Sequence, residues 1–295
     1  GLGTKVDSLM TSAEAIKAAG LDWTVSMQPV YRHSPQDEAV YERVEGWRAI
    51  TRDTDRKIFA VLSEGYVPVQ NSEAFTFFDE VVGQKKAYYE TAGSLRGGSR
   101  IWMLANMTDS LSIQGEEVRK YLTLVNAHDG TLALQMFWTP VRVVCMNTLS
   151  MALAGAKESF YARHTTYIRQ RVYKAQEILG LANKYYDDWS LKAQAMALKQ
   201  LPPAKMPLLL AESFSGLVNA ETIFPSAPIM MKNFQRVEEL VYAGRGQSNP
   251  KIQGTVWQAY NAVTEFVDYE KTYKDNSDSN RVFNNWYGTG AEIKK

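Results

Sequence analysis

The chain has 295 residues, 45% of them hydrophobic, enough to bury on the order of 75% of the surface its unfolded form exposes. Its 33 Lys and Arg balance 32 acidic residues to a net charge of +1, which excludes nucleic-acid binding by a uniformly basic surface and leaves that role to a local basic strip. One cysteine, Cys145, excludes an intrachain disulfide framework, and no apolar run reaches the ~18 residues of a membrane span, so a cytoplasmic protein with no membrane partner is expected.

In chain order, Thr11-Ser12-Ala13-Glu14 has capping-box spacing and predicts a short helix to about Ala19, stopped by Gly20. Trp23, Val25 and Met27 alternate with polar residues, a strand pattern expected to stop at Pro29. Residues 41–51 and 57–62 flank the turn-rich Arg52-Asp53-Thr54-Asp55 and read as a hairpin. Asn71 or Ser72 then caps a helix whose Phe75, Phe78, Val81 and Val82 fall three or four apart.

Strand patterns follow over Tyr88–Leu95 and Arg100–Ala105, joined through Gly97-Gly98. Tyr121–Val125 and Thr131–Trp138 flank Asn126-Ala127-His128-Asp129-Gly130, where Asp-Gly is a hairpin signal because glycine supplies the positive φ. After Pro140 the strand pattern runs over Val141-Arg142-Val143-Val144 and gives way to helical spacing from about Asn147. Arg142 and Asn147 are polar exceptions in an apolar passage. They read as a satisfied core arginine and a helix cap, or as ligand contacts.

From Thr165 an apolar stripe, Ile168, Val172, Ala175 and Leu179, predicts about twenty helical residues, with Arg163, Tyr167, Arg171 and Lys174 along a neighbouring face. Further helices are expected over Tyr185–Gln200, Asn233–Tyr242 and Thr255–Tyr269. The fold class is therefore α+β, an antiparallel β-meander packed on helices, with a core over 1–180 and a helical subdomain with a C-terminal tail over 181–295.

The residues of catalysis do not assemble into any complete motif. A P-loop is missing, and Gly244-Arg245-Gly246 and Gly288-Thr289-Gly290 lack the third glycine of a dinucleotide fingerprint. His33, His128 and His164 lack zinc spacing, and His128-Asp129 reads as a turn before it reads as an acid–base pair or a metal contact. The expectation is a protein without cofactor or metal, and the sequence leans against an enzyme without deciding the question, an enzyme acting through Arg142, Asn147, Cys145 or His128 being the least favoured reading.

Several strings do follow one another as in a known family. They are Gly1-Leu2-Gly3, Val69-Gln70-Asn71-Ser72-Glu73-Ala74-Phe75, Tyr89-Glu90-Thr91-Ala92-Gly93-Ser94-Leu95, Asn126-Ala127-His128-Asp129-Gly130, Arg142-Val143-Val144-Cys145-Met146-Asn147-Thr148-Leu149 and Arg163-His164. Over residues 1 to about 240 the sequence resembles the phage and plasmid proteins of the domain-of-unknown-function 932 family. In those proteins the Gly-Leu-Gly string follows a short lead, which implies residues ahead of Gly1. The order of elements also looks like that of phage single-strand annealing proteins of the RecT and Redβ type.

That second likeness implies a homo-oligomer that holds single-stranded DNA in a basic groove for recombination or annealing. The groove would be formed by Arg96, Arg100, Arg142, Arg163, Tyr167, Arg171 and Lys174. The 12% aromatic content supports the alternative, a module of a mobile element that binds a host protein.

Overall fold

The computed structural model describes residues 4–5, 11–83, 87–142, 147–148, 160–168, 175–213 and 228–272. The architecture is α+β, with two antiparallel sheets and helices concentrated toward the C-terminus. In chain order the elements are β1 (Thr4–Lys5), α1 (Ser12–Ala18), β2 (Val25–His33), β3 (Tyr41–Arg52), β4 (Ile58–Ser63), α2 (Asn71–Gly83), β5 (Ala87–Leu95), β6 (Arg100–Ile113), β7 (Glu116–Ala127) and β8 (Leu134–Arg142). They continue with β9 (Asn147–Thr148), β10 (Phe160–Ala162), α3 (Ala175–Leu198), α4 (Met206–Ser213), α5 (Pro228–Ala243) and α6 (Val256–Glu265), and α6 runs on into a π-helical turn, Phe266–Glu270.

One sheet has the order β2-β3-β4; the other has β1-β5-β6-β7-β8-β10, with β9 also on β8. The chain divides into two compact units. The first holds residues 1–108, 122–137 and 158–182, and the second holds 109–121, 138–157 and 183–295. Neither is one run of sequence, because β6, β7 and β8 each give residues to both.

In the first unit, α1 starts as its capping box predicts. Thr11 Oγ1 accepts from the Glu14 amide at 3.3 Å and Glu14 Oε2 accepts from the Thr11 amide at 2.8 Å. The helix ends ahead of Gly20, whose φ of 64° suits a glycine. Pro29 does not end β2, which continues to His33: as an outer strand, β2 loses no ladder bond to the missing N–H, and the pairing shifts register between Pro29 and Tyr31.

Helix α2 begins at Asn71, and the residue that acts as its N-terminal clasp is Gln70, whose amide donates to Glu73 Oε2 at 3.0 Å. The Asn71 side chain is drawn into the interior instead, and Phe75 is fully buried. The side chains of Phe78, Val81 and Val82 lie outside the described residues.

The β-meander is present with longer strands than alternation suggests. β6 reaches Ile113, eight residues past Ala105, and turns through Gln114-Gly115 into β7. Pairing with β7 holds its polar stretch Thr108–Ser112 in a strand that composition alone does not favour. Asn147 is not a helix cap: it lies in β9, register-paired with Arg142 of β8, so the two polar exceptions of that passage are backbone partners. Cys145 and the helix expected after Asn147 lie outside the described residues.

The helical stretches expected on either side of Leu181 are one helix, α3, from Ala175 to Leu198, which gives residues to both units. In the second unit α4, α5, α6 and the π-turn bury Met206, Leu210, Phe234, Val237, Leu240, Val241, Ala259, Ala262, Val263, Phe266 and Val267 together. Their three- and four-residue spacing is the amphipathic signal itself. The helix expected from Thr255 is present as α6, and Thr255 caps it by accepting from the Gln258 amide at 3.3 Å. Helix α5 starts at Pro228, five residues ahead of the expected Asn233, with a proline in the first turn where its missing donor costs nothing. Among the described residues no helix is long and apolar enough to cross a membrane.

Candidate functional site

Two turns far apart in sequence meet in the first unit. The β3–β4 turn runs from Asp53 to Lys57, and the β5–β6 turn is Arg96-Gly97-Gly98. Lys57 Nζ donates to the Gly97 carbonyl at 3.0 Å, which ties the turns together. Arg96, Gly97 and Gly98 have φ of 53°, 66° and 100°, a left-handed run that only glycine follows without strain. A Cβ on Gly98 would fall 2.5 Å from Arg52 Nη1.

This junction gathers Arg52, Arg56, Lys57 and Arg96 against Asp53 and Asp55, four cations less two acids, or a local +2. The acids are already engaged. Asp55 accepts two bonds from Arg52, at 2.8 and 2.5 Å, and this hydrogen bonding holds its carboxyl far below the ordinary range. Asp53 accepts from the Thr24 amide at 3.0 Å and hydroxyl at 2.8 Å, which also lowers it. Arg56, Lys57 and Arg96 are exposed.

Behind the junction, aromatic rings connect it to a buried polar cluster. The Arg52 guanidinium lies 5.3 Å from the Trp23 ring centre and 5.5 Å from that of Phe59, and both rings pack on His128. His128 is fully buried, and its Nε2 sits 2.9 Å from Asn71 Oδ1. The Asn71 amide donates to the carbonyls of Leu21 (2.8 Å) and Trp23 (3.3 Å), so its Oδ1 is the acceptor and Nε2 of His128 carries the proton. Burial first, and the neighbouring His164 second, push His128 down to about 4, against a weaker upward pull from Asp129.

His164 donates from Nδ1 to the Val67 carbonyl at 3.1 Å, the Val67 amide answers onto the His164 carbonyl at 3.1 Å, and burial lowers this imidazole too. Tyr66 stacks on His164 at 4.8 Å and donates to the Ala127 carbonyl at 2.9 Å. Asn126 donates to the Val69 carbonyl at 3.1 Å. Asp129 accepts from Ser99 Oγ at 3.0 Å and from the amide and hydroxyl of Thr131, with Arg100 at 3.9 Å. Burial raises its carboxyl, but these bonds and the Arg100 charge outweigh that and leave it lowered.

The strings around Asn71, His128 and His164, all of them family markers in the sequence, thus close on one another in space. Chemically the cluster is a set of neutral imidazoles and amides, each anchored on a carbonyl oxygen, that pins residues 66–71 against the end of β7. Among the described residues no three His, Cys, Asp or Glu side chains gather as a metal site.

The residues proposed for a basic groove are placed as follows. Arg96 belongs to the junction, and Arg163 and Tyr167 are exposed, Tyr167 at 67%. Arg100 is 3% exposed and donates to Thr131 Oγ1 at 2.8 Å, so it serves the interior and offers no guanidinium at the surface. Arg142 ends β8 with its side chain outside the described set, and Arg171 and Lys174 lie outside the described residues. Arg52, Arg56 and Lys57, which join Arg96 at the junction, were not among the residues proposed, because in the sequence Arg52-Asp53-Thr54-Asp55 reads only as the turn of a hairpin.

The opposite end of the three-stranded sheet carries aromatics. Tyr31 faces Arg43 and His33 faces Tyr41 across β2 and β3, with the His33 and Tyr41 rings 4.6 Å apart. Tyr31 and Tyr41 are 56% and 66% exposed.

The family described as "Domain of unknown function (DUF932)" matches residues 58–286. No curated protein and no solved structure matches, so the architectural likeness to RecT and Redβ gains no support.

Proposed function

The chain belongs to the DUF932 family, and we propose that it is a phage- or plasmid-encoded protein that binds single-stranded DNA without catalysing a reaction, as a factor of recombination or annealing. The observation that carries this reading is the junction of the β3–β4 and β5–β6 turns. It concentrates Arg56, Lys57 and Arg96 where the nearby acids are already hydrogen-bonded, in a chain whose net charge is only +1. Phosphate oxygens are the ligands such a site recognises, each neutralised phosphate steepening the fall of log affinity with log salt by about 0.7 for a single strand. Tyr31 and Tyr41 add exposed ring faces on which bases of any identity stack.

The test is an anisotropy titration of a labelled oligo-dT across salt concentrations, for the wild type and Lys57→Glu/Arg96→Glu. The variant is expected to bind more weakly and with a shallower salt slope. Salt-insensitive binding, or none by the wild type, overturns the reading.

A second reading rests on a different observation. The arginines of the β2–β3 ribbon are paired within the sheet and its neighbouring turn, Arg32 with Glu42 (3.5 Å), Arg43 with Glu45 (3.7 Å) and Arg48 with Glu64 (2.9 Å). Exposed aromatics on an electrically balanced ribbon suit a host protein partner. A pull-down that recovers one stoichiometric protein free of nucleic acid would favour it over DNA.

A further inference from the structure

The three-stranded sheet of the first unit has two outer strands, and only one is protected. β2 carries Pro29, with no N–H to offer, a register shift beside it, and Arg32, all devices that discourage the addition of another strand. β4 reads Ile58-Phe59-Ala60-Val61-Leu62-Ser63, with neither proline nor charge. It pairs with β3 on one side, and among the described residues no strand pairs on the other. Its side chains divide by role. Phe59 stacks on His128 and Leu62 packs at Gly130, where an added Cβ would fall 2.9 Å from Leu62 Cδ2. Ile58 and Val61 remain 60% and 46% exposed, and Trp47, opposite Ser63, is 48% exposed.

We infer that β4 is a pairing edge whose occupant is β4 of a second copy of this chain, joined antiparallel across a two-fold axis so that two three-stranded sheets become one continuous sheet. Several features favour a second copy over an unrelated strand. A two-fold axis sets identical edge strands antiparallel, the mode in which this sheet already pairs. The strand has no charge, so no like charges meet when it faces itself, as they would along β3 with its Glu42, Arg43, Glu45 and Arg48. An axis normal to the sheet at Val61 sets the two Val61 side chains against each other, covering apolar surface that otherwise faces water. An uncharged strand of high β propensity left open is a template for uncontrolled pairing, and closure with one partner copy removes it.

The experiment is sedimentation velocity on the full chain as wild type, Val61→Lys and Ile58→Glu. The wild type is expected to sediment as a dimer. Val61→Lys sets two like charges against each other at the axis, and Ile58→Glu faces Glu64 of the second copy. Each variant is expected to weaken association by about tenfold or more while keeping the wild-type far-UV circular dichroism, because both side chains are exposed and neither supports the core. Should Val61→Lys lose its fold, Ile58→Glu decides alone. A wild type that stays monomeric at its highest soluble concentration overturns the inference, as does an assembly that keeps its mass in a folded variant.

Discussion

The helical core of the second unit and the His128 cluster of the first are built from opposite materials. The helical core is aliphatic and aromatic, with Leu210, Val237, Val241 and Val267 fully buried and Gln258 tied to the Val241 carbonyl at 2.8 Å. The His128 cluster buries imidazoles, amides and a carboxylate, each of which requires a named partner. Apolar burial is non-directional and indifferent to protons, so the apolar side chains of the helical core tolerate shape-preserving change, and pH reaches this core through the buried Glu265 of α6, whose carboxyl is raised by burial. Polar burial is directional and titratable, so the cluster is sensitive to both.

The largest effect expected is in the helical core. Leu240→Ala, at a site 3% exposed, should cost about 2–5 kcal/mol in urea unfolding, and by the same amount at pH 7.5 and pH 5. A strongly pH-dependent loss would break the contrast.

The cluster should show the reverse. His128 is held at about 4 in the folded protein against an unfolded value near 6.5, so between these values the unfolded chain binds the extra proton. Its stabilisation is complete above pH 6.5 and is lost as the pH falls toward 4. The loss is about 3 kcal/mol overall and about 2 kcal/mol by pH 5. His128→Gln, which keeps a donor for Asn71 and cannot titrate, should flatten that acid limb in urea melts compared at pH 7.5 and pH 5. An unchanged limb would remove His128 as its cause.

The smallest effect lies at the junction of turns. Gly98→Ala forces a side chain into φ 100° and against Arg52, and a cost of about 1–2 kcal/mol is expected. It should come with weaker oligo-dT binding if the junction is the DNA contact, a pairing that links stability to the proposed function.

How far each region was legible follows from the same difference. Helix α1, the β3–β4 hairpin, the meander and helix α6 were all readable, because capping boxes, alternation, helical spacing and Asp-Gly turns act over a few residues. The reach of β6 to Ile113 and the strand state of Asn147 were not, because both depend on a neighbouring strand that local pattern does not reveal. His128-Asp129 looked like a hairpin tip. Its role was hidden because the partners of His128, Asn71 and His164, lie 57 and 36 positions away in the chain.

By itself, then, the sequence determined the α+β class, the family strings and the spacing that packs α5 and α6, since propensity and periodicity are properties of short windows. Only the tertiary structure decided that Arg100 turns inward, that Arg56 and Lys57 join Arg96, and that β4, among the described residues, pairs with a strand on one side only. The physical reason is that electrostatic clusters and sheet edges are set by which distant segments meet, and meeting is a property of the folded chain.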